Sequence, residues 1–154
     1  MRATRGLRGS VVAFVFVVQA LFSMNASASH AIPVSTTFTA TGSLTIESFG
    51  AYIPCTTNMV LTTDAVGHAQ ITQMTFNSAP CVAFETQGFP WPVTFSGSAV
   101  GVVSNATLLS PFGNCIGNFQ VNFWSSTMQF SGTWGPCGVS GTLTILPYFS
   151  VVTP

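Results

Sequence analysis

The sequence has 154 residues, of which 47% are hydrophobic and 4% are charged, with three lysines or arginines against three aspartates or glutamates. The basic residues are Arg2, Arg5 and Arg8, so the remainder of the chain contains no lysine and no arginine. Because nucleic acids and anionic lipid surfaces are bound mainly through these cations, we expect neither as a partner.

The N-terminal segment predicts a secretory signal peptide. The three arginines precede the apolar run "VVAFVFVVQALF" at 11–22, and Ala26-Ser27-Ala28 supplies a small-residue cleavage site. The run is shorter than the roughly 20 apolar residues of a membrane span, which disfavours the alternative of a retained anchor. We expect a signal peptide at 1–28 and one secreted domain at 29–154, without an integral membrane span after cleavage.

Short runs of β-favouring residues recur along 29–154 and predict strands, whereas no sustained helical period follows the signal peptide. The runs are "SLTIE" (43–47), "NMVLTT" (58–63), "HAQITQMTF" (68–76), "WPVTFSG" (91–97), "NATLLS" (105–110), "NFQVNFW" (118–124), "MQFSGTW" (128–134) and "SGTLTIL" (140–146). This spacing predicts an all-β fold, a single antiparallel β-sandwich or sandwich-like domain of about eight strands.

Two similar segments, "GSLTI" at 42–46 and "GTLTI" at 141–145, lie near the two ends of this domain. One precedes and the other follows the cysteine-bounded segments, and this mirrored order argues against a tandem duplication. It favours two strands of one domain and leaves open whether they pair with each other. Strand alternation places Leu44 and Ile46 on one face, and likewise Leu143 and Ile145.

The four cysteines predict two disulfides. An even count in an exported domain favours disulfides over a metal site, and the sequence has no C-x-x-C pair. Cys55 and Cys81 bound a strand, a short polar turn and a return strand, and Cys115 and Cys137 bound a second such segment. Since the ends of a hairpin meet, we favour pairing Cys55 with Cys81 and Cys115 with Cys137, among three connectivities that the sequence permits.

Titratable residues are too few to define a catalytic site. After the signal peptide they are Glu47, Asp64, Glu85, His30 and His68. Asp64 and His68 flank a predicted hairpin tip, where a turn is favoured over part of a Ser-His-Asp set because no G-x-S-x-G motif is present. Phosphate-binding glycine motifs are also absent. We expect no catalytic residue, no cofactor and no metal.

Four aromatic residues are candidates for contact with an apolar or carbohydrate partner. Phe89 and Trp91 stand between prolines in "GFPWP" (88–92), which forms either a rigid exposed platform or a cover on the end of the core. Trp124 and Trp134 are candidates for exposure on later strands. The predicted strands carry few of the charged residues that usually prevent association between exposed strand edges. This pattern favours self-association unless loops cover the strand edges.

An ordered set of motifs covers nearly all of 29–154. It comprises "FTATGSLTI", the Cys55-Thr56 opening of the first hairpin, "MTFNSAPC", "GFPWPVTF", "GNCIG" and "CGVSGTLT", followed by a short apolar tail that ends in proline. This set resembles the bacterial family of secreted proteins called protein activator of alkane oxidation. The resemblance implies an exported Gram-negative protein that promotes growth on, or emulsification of, long-chain hydrocarbons. It also implies an adhesive or fibre-like component of the cell surface or biofilm matrix, and it supplies no catalytic residues.

The sequence therefore predicts a non-catalytic secreted or cell-surface protein that promotes contact with hydrophobic substrates, through self-association or an apolar surface ligand. The first alternative is a carbohydrate-binding β-sandwich module, which requires coplanar aromatics on one sheet face. A small outer-membrane barrel requires an outward apolar band. A secreted hydrolase requires a nucleophile that converges with Asp64 and His68.

Overall fold

The computed structural model describes residues 28–153, so the predicted signal peptide lies outside the described residues except for Ala28. The described chain forms one 3₁₀ turn at Cys81–Ala83, and none of its segments is a helix long and apolar enough to cross a membrane. Its strands are β1 (His30–Ile32), β2 (Thr37–Ser48), β3 (Ala51–Thr63), β4 (Ala69–Phe76), β5 (Glu85–Gln87), β6 (Trp91–Ser96), β7 (Val100–Leu109), β8 (Cys115–Trp124), β9 (Thr127–Trp134), β10 (Cys137–Leu146) and β11 (Ser150–Val152).

Eight antiparallel strands form one closed sheet. The order runs β2, β3, β4, β6, β7, β8, β9 and β10, and β10 pairs back with β2. Closure depends on β7, which pairs with β6 on one side and with β8 on the other. The predicted all-β, sandwich-like domain of about eight strands is confirmed, and its sheet curves into a barrel.

The "GSLTI" and "GTLTI" segments are direct neighbours in this sheet. They pair antiparallel, so that Gly42 faces Leu143 and Gly141 faces Leu44. A Cβ at Gly42 would overlap the Thr142 carbonyl oxygen, so glycine is what allows the two backbones to approach. Leu44, Ile46, Leu143 and Ile145 are all buried, as the alternation predicts. The two segments therefore lie at opposite ends of the domain in sequence because they belong to two adjacent strands, β2 and β10.

The closed sheet encloses an aromatic-rich apolar core and has two distinct ends. At the "disulfide end" lie the turn at 49–50, the loop at 110–114 and the turn at 135–136. At the "terminal end" lie the turns at 64–68 and 125–126, together with the two-stranded sheet of β1 and β11. Phe149 caps the core there, with its ring centroid 5.0 Å from those of both Phe38 and Phe123.

Both predicted disulfides are confirmed. Cys55 bonds to Cys81 with their Cα atoms 5.7 Å apart, and Cys115 bonds to Cys137 with their Cα atoms 5.5 Å apart. Each bond joins a strand of the closed sheet to the segment that follows the next strand along the chain. Both lie at the disulfide end and tie its loops to the sheet.

Closure of the sheet explains how so few charged residues protect its edges. Among the described strands, those paired on one side only are β1, β5 and β11, and each is three residues long. Short edges offer little template for the addition of another strand. For the closed sheet, the structure therefore favours covered strand edges over open edges that would support self-association.

Candidate functional site

Asp64 and His68 form the turn between β3 and β4. The Asp64 carboxylate accepts hydrogen bonds from the backbone N–H groups of Val66 and His68, each at 2.9 Å, and lies 2.8 Å from His68 Nδ1. Partial desolvation acts to raise the pKa of Asp64, but the hydrogen bonds from His68 and Val66 outweigh it and leave that pKa below its ordinary 3.8. The turn interpretation of this pair therefore agrees with its geometry.

No nucleophile joins this pair within the described part of the chain. The nearest buried hydroxyl, that of Thr63, donates to the Pro33 carbonyl oxygen at 2.9 Å and accepts from the Thr36 N–H at 3.1 Å. It is fully engaged in holding the segment before β2. The hydrolase alternative accordingly finds no support in this geometry.

Two of the four candidate contact aromatics are buried: the predicted exposure of Trp134 is wrong, and for Trp91 the structure favours the alternative of a cover on the core over that of an exposed platform. Trp91 is 0% exposed and Trp134 is 1% exposed. Trp91 Nε1 donates to the Gln87 carbonyl oxygen at 2.8 Å, and Trp134 Nε1 donates to the Ala106 carbonyl oxygen at 3.1 Å. Because each indole N–H has a partner, both rings can be buried without an unsatisfied polar group. They are core residues.

The other two candidates differ from each other. Phe89 is partly buried and stacks on Trp91, with ring centroids 4.3 Å apart, so the "GFPWP" segment covers the end of the core. Trp124, the last residue of β8, is 65% exposed, as predicted. The aromatics of the predicted set therefore do not form one platform.

The disulfide end exposes an apolar cluster that the sequence predictions missed, here called the apolar tip: Phe49, Phe112 and Val82. Phe49 is 89% exposed, the highest value among the large hydrophobic residues described. Ser48 Oγ donates to the Phe112 carbonyl oxygen at 2.8 Å, and the Phe49 ring lies directly over Gly113, so the 49–50 turn and the 110–114 loop form one surface. The Phe84 ring meets that of Phe112 edge-on at 6.2 Å, and Val82, two residues before Phe84, is exposed.

Phe49 also has an unusual backbone. Phe49 and Gly50 form the two-residue turn between Ser48 and Ala51, with φ of 49° and 79°. Such hairpin turns require positive φ at both positions and favour Asn-Gly, whereas a bulky residue at the first position is strained. Strain retained at an exposed position points to a function of the side chain. The available sequence signal was a Phe-Gly pair between two β-prone runs.

A second apolar cluster lies at the terminal end and comprises the exposed side chains of Trp124, Leu146 and Tyr148. Ser126, two residues after Trp124, accepts a hydrogen bond from the Ile145 N–H at 2.7 Å and donates its own N–H to the Phe149 carbonyl oxygen at 3.3 Å, which links the segments that carry the three side chains. We call this the terminal cluster. The molecule therefore exposes apolar side chains at both ends of its sheet.

The described residues offer little for a metal or a reactive thiol. Within 28–153 no three His, Cys, Asp or Glu side chains stand close enough to hold a metal ion. The four cysteines of that range are all in disulfides. Apart from a few carboxylates, the described surface presents apolar area and neutral hydrogen-bonding groups.

A comparison with protein-family models finds one that covers nearly the whole chain. The model described as "Alkane oxidation protein activator PraA/PraB-like" matches residues 3–153. No curated protein and no solved structure matched the chain.

Proposed function

The chain belongs to the alkane oxidation protein activator PraA/PraB-like family, and we propose that it is a non-catalytic, exported surface protein that promotes contact with hydrophobic substrates. Two disulfides support export, because such bonds persist in oxidising compartments. The scarcity of titratable groups supports a non-catalytic role, since acid–base chemistry requires them. Activation of alkane oxidation is then a consequence of bringing substrate and cell together.

The observation that carries this proposal is Phe49. A phenylalanine that is 89% exposed at a positive φ costs backbone strain and gains almost no burial within its own domain. The ring gains its burial when the tip meets an apolar phase. Transfer of one phenylalanine side chain from water is worth about 1.5–3 kcal/mol, and Phe112 and Val82 enlarge the contact.

The electrostatics of the surface favour the same contact. Burial of a charge in a hydrocarbon costs far more than burial of an apolar group gains. The side chains of the apolar tip are uncharged, and no lysine or arginine occurs after the N-terminal segment. Glu47 lines one depression together with Phe49, so the tip enters an apolar phase without the transfer of a charge only while Glu47 stays on the aqueous side.

Self-association is part of the proposal and follows from the presence of two apolar ends. The apolar tip and the terminal cluster are different surfaces at opposite ends of the sheet. Contact of one molecule's tip with the next molecule's terminal cluster is heterologous, and such contacts generate open chains when the rotation does not close. Chains of this kind suit an adhesive component of a biofilm matrix at the cell surface.

A partition assay tests the proposal. Secreted protein is mixed with a hexadecane emulsion, and the bound fraction is measured for wild type, Phe49→Asn and Tyr52→Asn. Tyr52 is exposed on the neighbouring strand but lies outside the tip, so its variant is the matched control. We expect Phe49→Asn to weaken partitioning about tenfold or more, with little effect of the control. Equal partitioning of all three proteins would overturn the role of the tip.

A further inference from the structure

A groove crosses the outer face of the closed sheet beside the disulfide end. It consists of two adjoining depressions of about 270 Å³ and about 340 Å³ that share Ser131 and Gly132. The first lies over β3, β2 and β10, and the second lies between β9 and β8. Four strand spacings of about 4.8 Å separate β3 from β8, so the groove is about 19 Å long. A linear ligand fits this shape better than a compact one.

The second depression exists because two strands separate. Pairing of β8 with β9 runs from Trp124↔Thr127 only as far as Val121↔Phe130. Beyond that point the two strands are not paired: Asn118 and Gln120 on β8 and Ser131 and Thr133 on β9 line the depression, and a side chain added at Gly132 would meet nothing within 4 Å. Amide side chains, hydroxyls and strand backbone there offer both hydrogen-bond donors and acceptors.

The first depression combines an aromatic ring with a carboxylate. Tyr52, Glu47 and Gly138 stand opposite one another on β3, β2 and β10. Gly138 lets the Glu47 side chain lie flat, because a Cβ at that position would come within 3.0 Å of Glu47 Cβ and Oε2. The Glu47 carboxylate, through a hydrogen bond from the phenol and through its charge, raises the pKa of Tyr52. The hydroxyls of Thr45 and Ser140 border the same depression.

We infer that this groove binds a neutral polysaccharide chain, with Tyr52 against a sugar ring and Glu47 accepting hydrogen bonds from sugar hydroxyls. Hydroxyls both donate and accept, which matches a lining of Ser, Thr, Asn and Gln. Carboxylates accept the stronger, charge-assisted bonds. This inference goes beyond contact with hydrocarbons, because it assigns a second ligand class to a surface that adjoins the apolar tip and has a different lining.

Other occupants match the groove less well. Uronate, sulfate or phosphate chains would bring negative charge to Glu47, and no lysine or arginine of the described chain compensates it. A hydrocarbon chain would leave the carboxylate and hydroxyls without partners. Beside the groove, an extended peptide would find only short unpaired stretches of strand, residues 115–120 of β8 and 131–134 of β9.

Affinity electrophoresis in native gels tests the inference. Wild-type protein is run through gels that contain a neutral α-glucan, β-glucan, mannan or galactan, with alginate as the anionic control and gelatin as the polypeptide control. We expect retardation by at least one neutral polysaccharide and none by alginate or gelatin. Tyr52→Ala and Glu47→Gln should each weaken the apparent affinity about tenfold or more.

Phe49→Asn is the matched control, because Phe49 lies outside the two depressions. It should retain polysaccharide binding while it loses hexadecane partitioning, and Tyr52→Ala should show the reverse. A test of this kind separates failure of the groove from failure of the apolar tip. The inference is overturned if no neutral polysaccharide retards the protein, if gelatin or alginate retards it equally, or if both groove variants bind as wild type does.

Discussion

Phe49→Asn separates a role in contact from a role in folding. Phe49 occupies the first position of a turn that needs a positive φ, and its φ is 49°. Asparagine adopts this conformation readily, and Asn-Gly is the preferred pair for such turns. The substitution therefore removes an exposed aromatic ring and improves the turn at the same time.

The two opposing effects on stability can be worked from the structure. A phenylalanine side chain that is 89% exposed keeps only about 20 Å² of its roughly 200 Å² buried. Loss of that area costs about 0.5 kcal/mol at about 25 cal/mol per Å². Relief of the left-handed conformation contributes about 1–2 kcal/mol. The net expectation is a gain of about 1 kcal/mol in the free energy of unfolding, or about 3 °C in Tm.

Thermal unfolding under non-reducing conditions, followed by circular dichroism, measures this change beside the hexadecane assay. The combination of a more stable fold and weaker partitioning is expected only if Phe49 serves contact with an external apolar phase. A loss of more than about 1 kcal/mol in stability would show that the Phe49 ring supports the 110–114 loop through Gly113. The reasoning about strain would then be refuted.

Four further variants test the core, an exposed tryptophan, the covalent links and the Asp64 turn. Trp91→Ala should cost about 3–5 kcal/mol of stability in urea unfolding, whereas Trp124→Ala should change stability by less than about 0.5 kcal/mol. Joint replacement of Cys115 and Cys137 by serine removes a disulfide with a sequence separation of 22 and should lower the free energy of unfolding by roughly 3 kcal/mol. The measurement is Tm, which should be lower than that of the wild type without reductant and should fall less than that of the wild type when reductant is added. Because the native pKa of Asp64 is lowered, its contribution to stability is present above its ordinary 3.8 and is lost as pH falls through the native pKa. The stability difference between wild type and Asp64→Asn should therefore shrink below about pH 4, and a difference that grows there would contradict the assignment.

The strands and disulfides could be predicted from the sequence because local signals and global topology agree. Alternation in "GSLTI" and "GTLTI" identified the inward residues, and the glycines of both segments allow the strands to pair closely. The cysteines bound hairpins, so their pairing followed from geometry. The short strands β1, β5 and β11 were missed because three residues carry no measurable period.

The exposure of the aromatics could be predicted only in part. Trp134 is in phase with Met128 and Phe130 on β9, so alternation alone would have placed it inside. Burial of Trp91 depends on a carbonyl partner at Gln87 that the sequence does not reveal. The apolar tip joins residues far apart in the chain, and the groove depends on where β8 and β9 separate. Both are properties of the closed sheet and not of any local motif.

Footprinting at a hydrocarbon surface tests the central claim most directly. Hydroxyl-radical labelling of the purified protein, read by mass spectrometry, is compared between buffer and hexadecane droplets. If the apolar tip makes the contact, Phe49 and Phe112 lose label on the droplets while Tyr52, which is exposed outside the tip, keeps it. Equal labelling of Phe49 in buffer and on droplets, or protection spread evenly over the surface, would contradict the claim.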